Sequence, residues 1–194
     1  MKTRLFILSI LILCTNYGIS QNTYERAYRI RKDQMPIASL KLLEDSIAYG
    51  KRFRYYKETD TTENRYSSKF KKDRLWYIMN FNDSGTLIHI EIIVRPLDIP
   101  SDALAAIENY LSNNFTTYRV KEIRQQYQTT ETESLEKTLR NAFQNLLLPD
   151  LHYNFIIRGK KTNQKIDYEV LFDAEGRFKT ISQRLPPNYD RILY

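Results

Sequence analysis

Tyr77-Ile78-Met79-Asn80-Phe81-Asn82-Asp83-Ser84-Gly85-Thr86-Leu87-Ile88-His89-Ile90-Glu91-Ile92-Ile93-Val94 is the stretch whose reading decides the fold. Two runs rich in β-branched and aromatic residues flank Asn82–Gly85, a cluster of turn formers. The pattern predicts antiparallel strands over residues 74–81 and 86–94, joined by a tight turn. On the second strand Ile88, Ile90, Ile92 and Val94 share one face, and Leu87, His89, Glu91 and Ile93 the other. An antiparallel sheet with one face on a core and one face solvated follows.

Working outward, strands are expected at 52–58, 64–70, 118–127, 153–158, 166–172 and 177–184, the last two joined by a turn at Asp173-Ala174-Glu175-Gly176. Helical spacing predicts a first helix over 36–48, with Ile37, Leu40, Leu43 and Ile47 inward. A second, over 100–113, turns Leu104, Ile107 and Leu111 inward. A third, over 134–147, buries Leu135, Leu139, Ala142, Phe143 and Leu146. Pro36 and Pro100 suit helix starts, and Pro149 stops the third helix.

The order contains a match with itself. Pro36, Leu40, Leu43, Glu44 and Ile47 align with Pro100, Leu104, Ile107, Glu108 and Leu111. Tyr77, Met79, Phe81, Asn82 and Gly85 align with Tyr168, Val170, Phe172, Asp173 and Gly176. The expected fold class is therefore α+β: two repeated helix-plus-antiparallel-sheet units, at 21–97 and 98–185, with helices packed on one sheet face. The helix at 134–147 is an addition within the second unit, and 186–194 is a tail. A Pro-led helix followed by Tyr168-Glu169-Val170-Leu171-Phe172-Asp173-Ala174-Glu175-Gly176 resembles the PepSY-like domains related to beta-lactamase-inhibitor folds. The resemblance runs from Pro36 to about Arg184. It implies an exported binding or inhibitory module with no catalytic residues to carry over. The extra helix and the missing inhibitor-type disulfides depart from that pattern.

Residues 1–20 read as a cleavable signal peptide. Lys2 and Arg4 precede a short apolar run over 5–13, and Gly18 and Ser20 supply small side chains before a cut at Gln21. The run is too short for a bilayer span, which needs about twenty residues. Cys14 opens lipidation as an alternative, but Leu13 is large for the position before a lipidated cysteine. Cys14 is also the only cysteine. Cleavage thus leaves a chain without thiol, disulfide or cysteine-based metal site. The net charge of +7 falls to +5 when Lys2 and Arg4 are removed. A basic exported chain suits an envelope protein, a peptide or an anionic wall polymer as partner. Export removes it from nucleic acid, and no cofactor is expected.

Catalytic signatures are sparse. No G-x-S-x-G elbow occurs, and five glycines leave no phosphate-cradling loop. His89 and His152 read as strand-face residues, since metal sites need clustered ligands. Glu91, Glu122 and Glu169 sit on predicted strands and could face one cleft, which keeps a cell-envelope hydrolase as an alternative. The double-sided apolar strand at 86–94 keeps open a carrier of apolar ligands. The leading expectation is a non-catalytic module that binds through an open sheet face. Lys51-Arg52-Phe53-Arg54-Tyr55-Tyr56-Lys57 interleaves basic and aromatic residues, with Arg52, Arg54 and Tyr56 on one side. These three and Lys121 are the candidate partner-binding residues, Tyr and Arg being frequent interface anchors. The same basic face also suits a solubilising edge strand.

Overall fold

A computed structural model describes residues 26–47, 49–59, 64–130, 134–161, 163–184 and 188–192, without side chains at 26, 59 and 188–192. The predicted signal peptide, its cleavage site and Cys14 lie outside these residues. The strands are β1 (Arg26–Ile30), β2 (Lys51–Thr59), β3 (Asn64–Lys72), β4 (Leu75–Phe81), β5 (Leu87–Val94), β6 (Thr117–Gln128), β7 (His152–Lys160), β8 (Lys165–Asp173), β9 (Phe178–Arg184) and β10 (Asn188–Ile192). The helices are α1 (Ile37–Ser46), between β1 and β2, α2 (Ser101–Asn114), between β5 and β6, and α3 (Leu135–Phe143), between β6 and β7.

The decisive hairpin forms as its pattern requires. β4 and β5 pair from Trp76↔Ile93 to Phe81↔Leu87. Asn82 closes the turn, its side-chain oxygen accepting from the Thr86 N–H at 2.9 Å. Gly85 has φ +84°, and its Cα face lies against Pro36 and Ser39 at the start of α1. The Asp173–Gly176 turn is built alike. Asp173 accepts from the Arg177 N–H at 2.8 Å, and Gly176, at φ +81°, abuts Ala103 of α2.

These local likenesses do not make two units. Among the described residues the ten strands form one sheet in the order β10-β1-β2-β3-β4-β5-β6-β7-β8-β9. Every neighbour from β1 to β9 pairs antiparallel. The expectation of two repeated helix-plus-sheet units, with helices laid on one face of each, is thereby overturned. The supposed boundary near residue 97 falls beside a full ladder, β5 to β6, from His89↔Gln128 to Val94↔Ile123. The halves also share one core. Phe143 of α3 meets Tyr77 of β4 edge-on, at 5.4 Å between ring centres. The supposed tail contains β10, which pairs parallel to β1.

The sheet is rolled. Seven strand steps separate β2 from β9, so in a flat sheet they would stand roughly 34 Å apart at about 4.8 Å per step. Arg184 of β9 nevertheless lies 3.9 Å from Glu58 of β2. Residues 185–187 alone link β9 to β10, and a link that short spans at most about 14 Å. The cause is visible in the ladders. Register shifts interrupt them at Tyr28/Arg29, Lys51/Arg54, Asn80/Phe81, Val120/Glu122 and Leu171/Phe172. Each such bulge bends its strand and raises the local twist.

Rolling gives the two faces different surroundings. Outside, Phe70, Tyr77, Met79, Phe81, Ile90, Ile92, Phe155, Val170 and Phe172 join Ile107 and Leu111 of α2 in the core. Inside runs a polar face that includes Glu91, Arg124, Asn154 and Glu169. It is not the solvated surface the alternation suggested: Glu91 is 1% exposed and Asn154 3%. The helices also depart from their predicted faces. Ile37 is 86% exposed, because Ser39, Leu43 and Ile47 take the inward positions. Leu135, the first residue of α3, is exposed as well, and so is Leu146, which lies past the end of α3 at Phe143, where Asn145 turns the chain with φ 51°.

Candidate functional site

The inner face is organised around Arg124 of β6. Its Nη1 donates to Glu91 at 2.9 Å and its Nε to Glu122 at 2.6 Å. Lys69 of β3 reaches the other Glu122 oxygen at 3.3 Å. Asn154 donates to Glu91 at 3.1 Å and also to Glu169. Arg184 approaches Glu169 at 3.3 Å. The three glutamates singled out in the sequence thus do meet on one face, each held by cations or amide donors.

That arrangement sets their protonation. Burial pushes the Glu91 carboxyl up, but Arg124, His89 and Asn154 outweigh it and leave the group below the usual carboxylate range. Glu122 follows the same balance, with Arg124 and Lys69 prevailing over burial. Burial works against the charge of Arg124, and its carboxylate neighbours more than restore it. His89, 3.9 Å from Glu91, is driven toward its neutral form by burial, which Glu91 and Glu169 offset only in part.

Beside this network lies a cavity of about 340 Å³, walled by β1, β2, β3, β4, β6 and β9. Arg29, Arg54, Tyr56, Lys69, Arg124 and Arg184 line it, with Glu58, Asn80 and Ile78. Of the four predicted binding residues, Arg54 and Tyr56 line this cavity and Arg52 and Lys121 do not. Arg52 adopts φ 60° beside the bulge of β2, which breaks the alternation expected to align it with Arg54. Lys121 is the extra residue of the β6 bulge, and its Nζ pairs with Asp167 at 2.6 Å.

Sequence reasoning missed Arg29, Arg124 and Arg184 as site residues. Glu122 and Arg124 are two apart on a predicted strand, so their shared face was readable. Arg29 and Arg184 join them only through the roll. A second, apolar groove of about 490 Å³ runs along Ala38, Leu42, Leu87 and Leu135. Among the described residues no group of three His, Cys, Asp or Glu side chains is placed to hold a metal ion. Nor, among them, is any helix long and apolar enough to cross a membrane.

No protein-family model and no curated protein matches the chain. Solved structures do. A DUF2874 family protein from Bacteroides ovatus superposes with TM-score 0.50 at 10% identity, over 78% of this chain and 89% of that one. A candidate periplasmic protein from Bacteroides eggerthii gives 0.49 at 13%, over 77% and 88%. A BLIP-like protein from Bacteroides fragilis gives 0.47 at 13%, over 77% and 86%. At 10% identity the likeness to the first of these is one of fold alone. None of the three is described as PepSY-like.

Proposed function

We propose that the chain is an exported, non-catalytic binding module that takes part of a protein, peptide or cell-wall component into the concave face of its rolled sheet. The observation that carries this reading is the cavity itself. Arg54 and Tyr56, set out by the sequence as anchors, line it together with four further cations. Tyr and Arg in a concave, partly desolvated setting are what recognition sites concentrate. A hydrolytic role finds less support. A general acid needs a raised pKa to hold its proton near neutrality, whereas Glu91 and Glu122 are lowered and Glu169 is tied to Arg184 and Asn154. Export is inferred from residues 1–20, where a basic start, an apolar run and small residues follow in the order of a signal peptide.

The test pairs binding with turnover. The chain from Gln21 onward is expected to be retained on wall polymers or peptides without cleaving them. Tyr56→Ala should abolish retention while leaving the far-UV spectrum unchanged. Release of new sugar or amine ends, lost in Glu169→Gln, would replace this reading with the hydrolase. Expression of the full chain in a Gram-negative host should give an envelope-fraction product with the mass of residues 21–194.

A further inference from the structure

We propose that the cavity binds the carboxylate of a small organic acid, clamped between Arg29 and Arg54. The proposal rests on the binding-module reading and names the chemistry it would recognise. The cations of the cavity divide into two kinds. Lys69, Arg124 and Arg184 each have a carboxylate within 4.0 Å. Arg29 and Arg54 have none among the described side chains, and both are exposed at the mouth.

Their placement suits an anion. Arg29 sits directly across from Tyr56 in the β1–β2 ladder. Arg54 is two residues from Tyr56 and lines the same cavity. The two arginines are therefore diagonal neighbours, with β-carbons roughly 7 Å apart. Like charges so close in a concavity repel, and a shared anion removes the repulsion. The planar guanidinium fork matches a carboxylate in two-point fashion.

Charge favours an anion. Five cations line the cavity against one lining carboxylate, Glu58, and Glu91, Glu122 and Glu169 behind it are already engaged by Lys69, Arg124 and Arg184. Size agrees, since 340 Å³ lies at the small end of ligand pockets, about 300–1,000 Å³. Asn80, whose Nδ2 is buried without a partner among the described residues, and Ser67 offer polar contacts to the body of the ligand; Ile78 offers an apolar one. A sugar acid or a short peptide with a free C-terminus presents that combination.

The experiment is calorimetric titration of the chain from Gln21 with two matched pairs: glucuronate against glucose, and alanyl-alanine against its C-terminal amide. The sole tryptophan, Trp76, whose ring lies 5.8 Å from the ammonium of Lys69, supplies an optical signal. At least one acid is expected to bind at least tenfold more tightly than its neutral counterpart, and the responding pair identifies the source of the carboxylate. Arg29→Gln and Arg54→Gln should each weaken it at least tenfold. If either fails to fold, Arg29→Lys or Arg54→Lys keeps the charge, loses the fork and should still bind more weakly. Equal binding of acid and neutral form, no binding of either acid, phosphate binding more tightly than both, or unchanged affinity in the arginine variants would each overturn the proposal. If no acid binds while polymer or peptide retention still depends on Tyr56, only the carboxylate assignment falls.

Discussion

Arg124 donates to two glutamates on different strands at once, Glu91 of β5 and Glu122 of its own β6, at 2.9 and 2.6 Å. The pairing lies where water hardly reaches, since the Glu91 side chain is 2% exposed and that of Arg124 15%. Its partners extend the linkage to β3, β7, β8 and β9.

Arg124→Leu should therefore cost far more than a surface ion pair. Removing one partner of a buried pair strands the other's charge, at about 3–5 kcal/mol. Thermal melting should fall by roughly 10 °C, given about 2–4 °C per kcal/mol in a chain of this size. Adding Glu91→Leu should recover part of the loss. A melting temperature within about 2 °C of the wild type in Arg124→Leu would contradict the assignment.

Stability should decline with acid in two stages. His89 is lowered from 6.5 when folded, so the unfolded chain takes up that proton first, and stability starts to fall below about pH 6.5. Glu91 and Glu122 are lowered from 4.5, so their contribution is complete above about pH 5 and is lost as pH falls through their folded values. Glu91, Glu169, Arg65 and Arg124 are the charges acting on His89. Urea midpoints at pH 7.5, 6.0, 5.0 and 4.0 read this directly. His89→Asn should shrink the first stage, leaving the part due to His152, which burial also holds toward its neutral form, and should leave the second stage in place.

The two glycine turns should differ in sensitivity. A β-carbon at Gly176 would stand 2.3 Å from the Ala103 carbonyl oxygen, whereas at Gly85 its nearest neighbour is at 2.9 Å. Both backbones are left-handed, which alone costs an L-residue about 1–2 kcal/mol. Gly176→Ala should thus destabilise more than Gly85→Ala by chemical denaturation, and the reverse order would be inconsistent with the packing.

Unfolding should be a single event. Trp76 is on β4 and Ile107, fully buried, is on α2, in what the sequence suggested were separate units. Ile107→Ala should cost about 2–5 kcal/mol. Trp76 fluorescence and far-UV circular dichroism should shift together, as in a two-state domain. Separated transitions would point to independent units.

Much of the strand inventory was legible because turn residues and alternation are local signals. The predicted strands at 64–70 and 166–172 fall within β3 and β8, and the helix starts at Pro36 and Pro100 are placed within one residue. β1 was not: Arg26-Ala27-Tyr28-Arg29-Ile30 is short and charged, with no flanking turn. The roll was not legible either, because the bulges that produce it leave no fixed residue signature. Without the pairing of β1 with β2, Arg29 has no reason to be associated with Arg54, and without the roll Arg184 has none. Glu91 and Glu169 could be named as strand-borne carboxylates, but their engagement by Arg124, Asn154 and Arg184 depends on which strands became neighbours.

The parallel seam between β1 and β10 has a kinetic consequence. It joins the first described strand to the last, through five-residue elements whose register is interrupted at Tyr28/Arg29. A contact so distant along the chain forms late in folding, when the entropy of closing the intervening loop is already reduced. By the same reasoning it is among the first to part in the native state, as weakly held edges do. Because β1 stays paired with β2 along its whole length, parting of the seam would free β10 and bare the outer edge of the wall that carries Arg29. Ligand exchange would then be timed by fluctuation of this seam, and the β4–β5 hairpin would stay in place throughout.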